Sequence, residues 1–543
     1  SSFDSLFGNA RAGLWLISPC NQWPGGCPIL APRSCPSPSL AMASTALSTP
    51  PAPPHGRPRR TQGRDIHEPH RAATPLELLF DLVFVVAIAQ AAAQLHHGIV
   101  AHHTGSALVG FAIAFSAIWW AWMNYTWFAS AYDDDTPTFR VLTMAQMVGV
   151  LALAAGVPGF FEGKFNAGVA GYLVMRVALC LQWVRAARGH PECQRTCLRY
   201  ATGIALVQVG WLLFLLGTQT GALAGSAMWV GFGLLWLGEF SVPVWAERAT
   251  PTPWHAHHIA ERYSLLVIIV LGEGILGASN SVASIWAAMD WAWSWDVSLV
   301  GFGCMLLVFC LWWMYFLVPS AEALHQHRDR AFPWGYGHVV LFAALAAVGS
   351  GLEVVADVLK AAKEAAAHAP AAAHEAAAHG VSATYAIATV AVAESVYVIS
   401  LWVLYRFISR VRQSDWYLPL VCIACIALAP VAVSLGVPLP WGLLLLSVGP
   451  ILAIAYHAHG RRHCTEEFAA RRRVTSIALS IPTATRPPMN ALFLLEQVSL
   501  ARTHAAVNKS GRWARSQPSV CASSLADCSM QACSVGVDTG SPS

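Results

Sequence analysis

Apolar residues run through this chain in continuous stretches of about 20, broken by short loops that carry most of the arginine. A helix of that length, rising about 1.5 Å per residue, matches a hydrocarbon core of about 30 Å. The pattern predicts spans at roughly 76–95, 105–125, 139–160, 167–186, 197–217, 226–246, 259–280, 297–318, 333–358, 381–405, 416–435 and 440–457, about twelve in all. The runs are continuous and do not alternate over ten-residue segments, which excludes a transmembrane β-barrel. The expected fold class is all-α, a polytopic helical membrane protein with the lipid bilayer as its surroundings.

The loops test this register. With a cytoplasmic N-terminus, the inside segments collect Arg57, Arg59, Arg60, Arg64 and Arg71, then Arg140, then Arg185, Arg188, Arg195 and Arg199. Further inside positions are Arg248, Arg328, Arg330, Arg406, Arg410 and Arg412, and the group Arg461, Arg462, Arg471, Arg472 and Arg473. The outside loops hold Lys164, Lys360 and Lys363. Adding or removing one span scrambles this division, so the positive-inside rule places both termini in the cytoplasm.

The first span opens with helix punctuation, TPLELLFDLVFVVAIAQ from Thr74 to Gln90. Thr74 suits the N-cap, Pro75 the first helical position, and Glu77 the third, which together make a capping box. Asp81 follows one turn later on the same face. A related stretch, ERYSLLVIIVLGEGI, begins the seventh span, and Glu77 aligns with Glu261. Trp119-Trp120 in the second span likewise matches Trp312-Trp313 in the eighth. Six spans per half is an even number, so these matches imply a parallel two-fold repeat, with halves at about 71–250 and 251–460.

Composition sharpens the class. Of all residues 56% are hydrophobic and only 11% charged, against roughly 25% charged in soluble domains. A formal net charge of +4 gives no reason to expect nucleic acid as a partner. Residues 1–70 are rich in Pro, Ser and Arg, with no acid between Ser5 and Arg64, and read as a disordered basic extension. Because the chain does not open on Met, residues 1–41 read as an upstream extension, and the run from Met42 has the look of a transit peptide. Residues 461–543 read as a disordered tail, and Lys360–Gly380 as a surface helix broken near Pro370. Cys422-x-x-Cys425 lies mid-span, where a packing role outweighs a redox one.

Ionisable side chains inside the membrane are costly and usually meet a partner or a wet cavity. The candidates for binding or proton coupling are Asp81, Arg176, Glu273, His338, Glu353 and Glu394, with Glu239 also buried in a span. Glu77 and Glu261 sit in first helical turns, where capping is the plainer role. Asp81 has no basic residue one turn away and needs a tertiary partner. Glu273 lies between Gly272 and Gly274, which let another helix or a ligand approach. Arg176 and Glu394 occupy equivalent depths of spans four and ten and are placed to pair across the repeat axis; Arg176 is equally a candidate partner for Glu273. The loop histidines, His96, His97, His102, His103, His255, His257 and His258, lack Cys or Asp support and read as solvated, so no metal site is expected. Neither phosphate loop, nucleophile elbow nor dinucleotide fingerprint occurs, so no cofactor and no enzyme are expected.

Four of these pieces resemble one family. TPLELLFDLVFVVAIAQ, WWAWMNYTWFASAYDDDTPTFR, HIAERYSLLVIIVLGEGIL and HRDRAFPWGYGHVVLFAALAAVGSGLE occur in the order found in the low temperature requirement A (LtrA) proteins, multi-pass membrane proteins of bacteria. The resemblance covers about residues 70–460. The family's opening motif falls on Glu77 and Asp81, its ERYG and LGE motifs on Glu261, Arg262 and Glu273, and its W-x-Y-x-H pattern on Trp334, Tyr336 and His338. Ser264 stands where the family often has Gly. The resemblance implies a link by name to growth in the cold and no substrate. The residues themselves favour a secondary transporter, proton-coupled, of a small solute or ion. A membrane sensor or scaffold is the alternative, an intramembrane enzyme a third; self-association is left open.

Overall fold

The structure, a computed structural model, describes residues 61–66, 68, 71–288, 291, 293–367, 381–409 and 416–459. The N-terminal extension up to residue 60, the break at Pro370 and the tail beyond 460 lie outside them. Among the described residues every regular element is helical. The order is α1 (Pro75–Val100), α2 (Thr104–Tyr132), α3 (Pro137–Phe161), α4 (Asn166–Gly189), α5 (Gln194–Gln219) and α6 (Gly225–Glu247). It continues with α7 (Ala256–Ala288), α8 (Trp295–Phe316), the short α9 (Ser320–Gln326), α10 (Ala331–Ala367), α11 (Ala383–Ser409), α12 (Tyr417–Ser434) and α13 (Leu439–Leu446). Twelve segments are long and apolar enough to cross a membrane, the last running Leu439–His459. The chain is an integral, multi-pass, all-α protein.

Local chemistry sets the ends. The α1 capping box forms as its sequence predicts: Glu77 N donates to Thr74 Oγ1 at 3.3 Å, and Thr74 N to Glu77 Oε2 at 2.8 Å. Thr136 caps α3 with its side chain alone, Oγ1 accepting from Phe139 N at 3.3 Å, ahead of Pro137. The twelfth span breaks at Ser447, because Pro450 has no amide to donate to the Leu446 carbonyl. Two expectations are corrected. His96 and His97 belong to the last turns of α1, since the apolar face of that helix continues through Leu95 and Ile99. Lys360 and Lys363 extend α10, not a separate surface helix, because alanine-rich sequence continues a helix at little cost.

In the first half α1 packs on α2 and α3, α3 on α4, α4 on α5, and α5 on α6. In the second half α7 packs on α8 and α10, α10 on α11, α11 on α12, and α12 on α13. These pairs recur in both halves, but α8 also packs on α13 and α2 on α3, contacts that have no counterpart in the other half. Between the halves, α1 and α2 face α7 and α10. One end of the bundle joins Thr61 Oγ1 and Arg185 Nη2 to Asp134 at 2.7 and 2.8 Å, Thr196 to the Thr250 carbonyl at 2.7 Å, and Arg328 to the Trp254 carbonyl at 2.8 Å. The other joins His96 to Asp357, Thr104 to Tyr385 and Lys363 to Asp296. The loops assigned to each side by arginine content therefore share an end.

Candidate functional site

The capping box delivers more than a helix start. Glu77 and Asp81, one turn apart on α1, are both fully buried. His258 and Arg262, one turn apart on α7, face them and are fully buried as well. Arg262 forks onto Asp81, with Nη2 donating to Oδ1 at 2.5 Å and Nε to Oδ2 at 3.2 Å. Its Nη1 lies 3.2 Å from Glu77 Oε1, and His258 Nε2 lies 3.1 Å from the same oxygen. Trp122 Nε1 of α2 also donates to Asp81, at 2.7 Å. One guanidinium thus bridges two carboxylates across the boundary between the halves.

A collar closes the cluster toward the end of the bundle. Arg71 donates to the carbonyls of Ser130 and Ala129, and its Nη2 lies 3.9 Å from Glu77 Oε1. Burial holds the Arg71 guanidinium below its ordinary pKa, against the pull of Glu77. Asp133, just past α2, accepts from Asp135 N at 2.9 Å and from Thr74 Oγ1 at 3.5 Å. Burial, with the Glu77 charge close by, pushes its carboxyl up to about 6. His255 donates from Nε2 to the Glu68 carbonyl at 2.8 Å and accepts at Nδ1 from His258 N, and burial lowers its pKa. His255 and His258 are therefore corrected from solvated loop histidines to buried members of the site.

The other predicted residues fall elsewhere. Arg176 pairs neither with Glu394 nor with Glu273. Its Nη2 lies 3.4 Å from Glu239 Oε2 within the same half and donates to the Tyr172 hydroxyl. Trp120 Nε1 and Gln208 Nε2 each donate to Glu239 at 2.9 Å, so that acid is fully engaged. Glu394 is fully buried and neither of its carboxyl oxygens has a hydrogen bond among the described residues. Glu273 is half-buried with Glu353 as its charged neighbour. Gly274 and Gly349 bring α7 and α10 into backbone contact beside it, so that glycine serves helix packing. Glu353 in turn lies 3.7 Å from His96 Nδ1, and Asp357 lies 2.8 Å from His96 Nε2. His338 is buried, its Nδ1 donating to the Trp334 carbonyl at 2.8 Å and its Nε2 lying 3.3 Å from the Tyr315 hydroxyl. A carbonyl only accepts, so Nδ1 carries the proton and Nε2 receives the tyrosine hydrogen bond.

Glu261 is only partly buried and makes no contact with the cluster. Aligning it with Glu77 chose the wrong face of α7, and its neighbour Arg262 carries the pairing. Arg71, Trp122, Asp133 and His258 lie outside the set of candidates. The i, i+4 spacing of His258 and Arg262, equal to that of Glu77 and Asp81, was the signal available for His258.

Comparison with known proteins follows these motifs. Residues 72–449 match the family of bacterial low temperature requirement A proteins. The chain belongs to the LtrA family. Among curated proteins it is 26% identical over 283 residues to an uncharacterized protein of Rhizobium meliloti (strain 1021), covering 48% of this chain and 64% of that relative. The match thus spans a little under two thirds of the relative's length. No solved structure matches the chain. The family region contains both helices that build the charge cluster, and it ends inside the twelfth span.

Proposed function

We propose that this LtrA-family chain is a secondary transporter of a small solute or ion, driven by protons and working through relative movement of its two six-helix halves. The observation that carries the reading is the sharing of Arg262 between Glu77 and Asp81 across the interhalf boundary. Two carboxylates and one guanidinium in a low-dielectric interior are unbalanced, and removing one partner from such a set is expensive. A shift of α7 relative to α1 by a fraction of a turn passes Arg262 from one acid toward the other. The acid left behind takes up a proton, and the reverse movement releases it. His258 stands beside Glu77 to relay that proton. The seam has a second group of ionisable residues, His96, Glu273, Glu353 and Asp357, about 16 Å further along α7 from Arg262 to Glu273. Five helix pairs of the first half have counterparts in the second, which favours the parallel two-fold repeat that such a movement uses.

The test is counterflow in proteoliposomes holding the purified full chain, with a panel of labelled solutes and an imposed pH gradient. The carrier reading expects one solute class to exchange, with gradient-driven accumulation lost in Asp81→Asn. A protein that inserts and folds normally yet exchanges nothing across the panel is a sensor or scaffold instead.

A further inference from the structure

One buried acid stands outside the charge cluster and is not used by the movement proposed above. Glu394 lies near the middle of α11 and is fully buried, with neither carboxyl oxygen hydrogen-bonded among the described residues. The first half treats the same place differently. There α4, packed between α3 and α5, carries Arg176, and that guanidinium answers Glu239 at 3.4 Å. In the second half α11 packs between α10 and α12, and it carries an acid where α4 carries the base.

The helices around Glu394 supply no counter-charge. From α8 and α12 the titratable groups beside the carboxyl are the thiols of Cys310 and Cys422. Tyr397, one turn on along α11, donates to the Leu311 carbonyl at 2.7 Å and holds α11 against α8. On α10 no titratable residue falls between His338 and Glu353. Gly351 of α10 lies against Val390, which leaves both of those residues about two turns from the level of Glu394. Glu322 and His325 of the short α9 follow the end of α8, about three turns or more past Cys310. The last span has no titratable side chain before Tyr456. A lone carboxylate in such surroundings is far costlier than the neutral acid, and the neutral acid needs no counter-ion.

The last span also breaks close to this place. Ser447 Oγ is buried with no hydrogen bond among the described residues. Two residues on, a Cβ at Gly449 would stand 2.6 Å from the Cys422 carbonyl oxygen, so the break packs directly on the helix segment that carries Cys422. Pro450 leaves the Leu446 carbonyl without its amide donor, which weakens the helix there.

We propose that Glu394 is a proton-binding site of the second half, carrying its proton in this conformation and exchanging it as the break at Ser447 flexes against α12. The site needs neither transport nor movement of Arg262, so it stands apart from the carrier reading.

Infrared difference spectroscopy of the purified full chain in lipid at neutral pH tests it. Subtracting the Glu394→Gln spectrum from that of the wild type is expected to leave the carbonyl stretch of a carboxylic acid with no carboxylate bands. Glu394→Asp is expected to move that stretch without removing it, which keeps the assignment open to test even where the Gln variant does not fold. In heavy water the band is expected to shift as deuterium enters. Pro450→Ala, which restores the amide donor, is expected to slow that shift several-fold. Carboxylate bands in place of the acid band overturn the proposal. So does conversion of the acid band to carboxylate by sodium chloride but not by choline chloride, since the site then takes a metal cation. A band that never shifts in heavy water, or shifts equally fast in Pro450→Ala, overturns exchange through the break. Asp81→Asn is expected to keep the band, and its loss there would tie the proton to the Arg262 cluster instead.

Discussion

Glu77 and Asp81 share one guanidinium, yet their remaining contacts differ, and that difference sets what each substitution does. Asp81→Asn still accepts from Trp122 but loses the charge that Arg262 forks onto. Proton-driven exchange is expected to vanish with the protein still inserted in the membrane, and stability to fall by about 3 kcal/mol, as for any broken buried pair. Glu77→Gln keeps the cap to Thr74, and a capping argument alone expects tolerance. The structure adds Arg262 and His258 to its partners, so this variant is expected to lose a large part of its stability, about 3 kcal/mol by analogy with broken buried pairs. Equal unfolding midpoints for Glu77→Gln and wild type would return Glu77 to a simple cap. Asp133 gives a pH signature. Its folded pKa of about 6 exceeds the unfolded value of about 3.9. Folding therefore favours its protonated form, and this contribution is lost as pH rises from about 4 through 6. Asp133→Asn is expected to gain on wild type across that window and to hold a constant lead above it. Unfolding midpoints of the two proteins between about pH 4.5 and 7.5 check this, and a lead that does not vary with pH would remove Asp133 as the titrating group.

At the scale of elements, α3 and α4 make the closest approach, and glycine permits it. A Cβ on Gly156 would stand 2.4 Å from the Gly168 amide nitrogen, against backbone that cannot turn aside. Gly156→Ala is expected to push the two helices apart and cost about 1–3 kcal/mol. A fall in unfolding midpoint with the helical circular dichroism unchanged is the matching result. α6 behaves oppositely: Trp229, Val230, Leu234 and Leu237 are all exposed, as suits a helix that lies against lipid. Its inner face is tied to the bundle by ring contacts, Phe232 with Phe165 and Trp211 and Phe240 with Trp120, and by Glu239, bound to Trp120, Gln208 and Arg176. Glu239→Leu is accordingly expected to loosen α6 while leaving the α1–α7 cluster in place, seen as faster proteolysis confined to the α5–α6 region.

For the whole molecule, the arrangement of loops gives a two-sided prediction. Ala101 and Arg188 are both exposed and lie at opposite ends of the bundle. Arginine content assigns Arg188 to the cytoplasm and Ala101 to the other side. In a chain cleared of other reactive thiols, Ala101→Cys is expected to react with an impermeant maleimide only from outside, and Arg188→Cys only after permeabilisation. Reversal of both patterns inverts the protein and the direction of any proton movement through Arg262.

Much of this could be read from the chain because lipid makes a helix satisfy its own backbone, so length and apolarity alone decide where spans fall. The capping box at Thr74 and Glu77 and the grouping of loops by arginine follow from local rules of the same kind. Asp81 was recognisable as a residue in need of a partner, since nothing one turn away offers charge. Which partner answers it was not, because the choice depends on how α7 is rotated against α1. One residue of rotation separates Glu261, half-exposed, from Arg262, fully buried between two acids. The same holds for Arg176, whose apparent mate by depth, Glu394, is displaced by Glu239 once α6 packs against α2 and α5. Sequence fixes what each helix carries and how deep it lies; the azimuth of each helix, set by side-chain packing across the two halves, decides which charges meet.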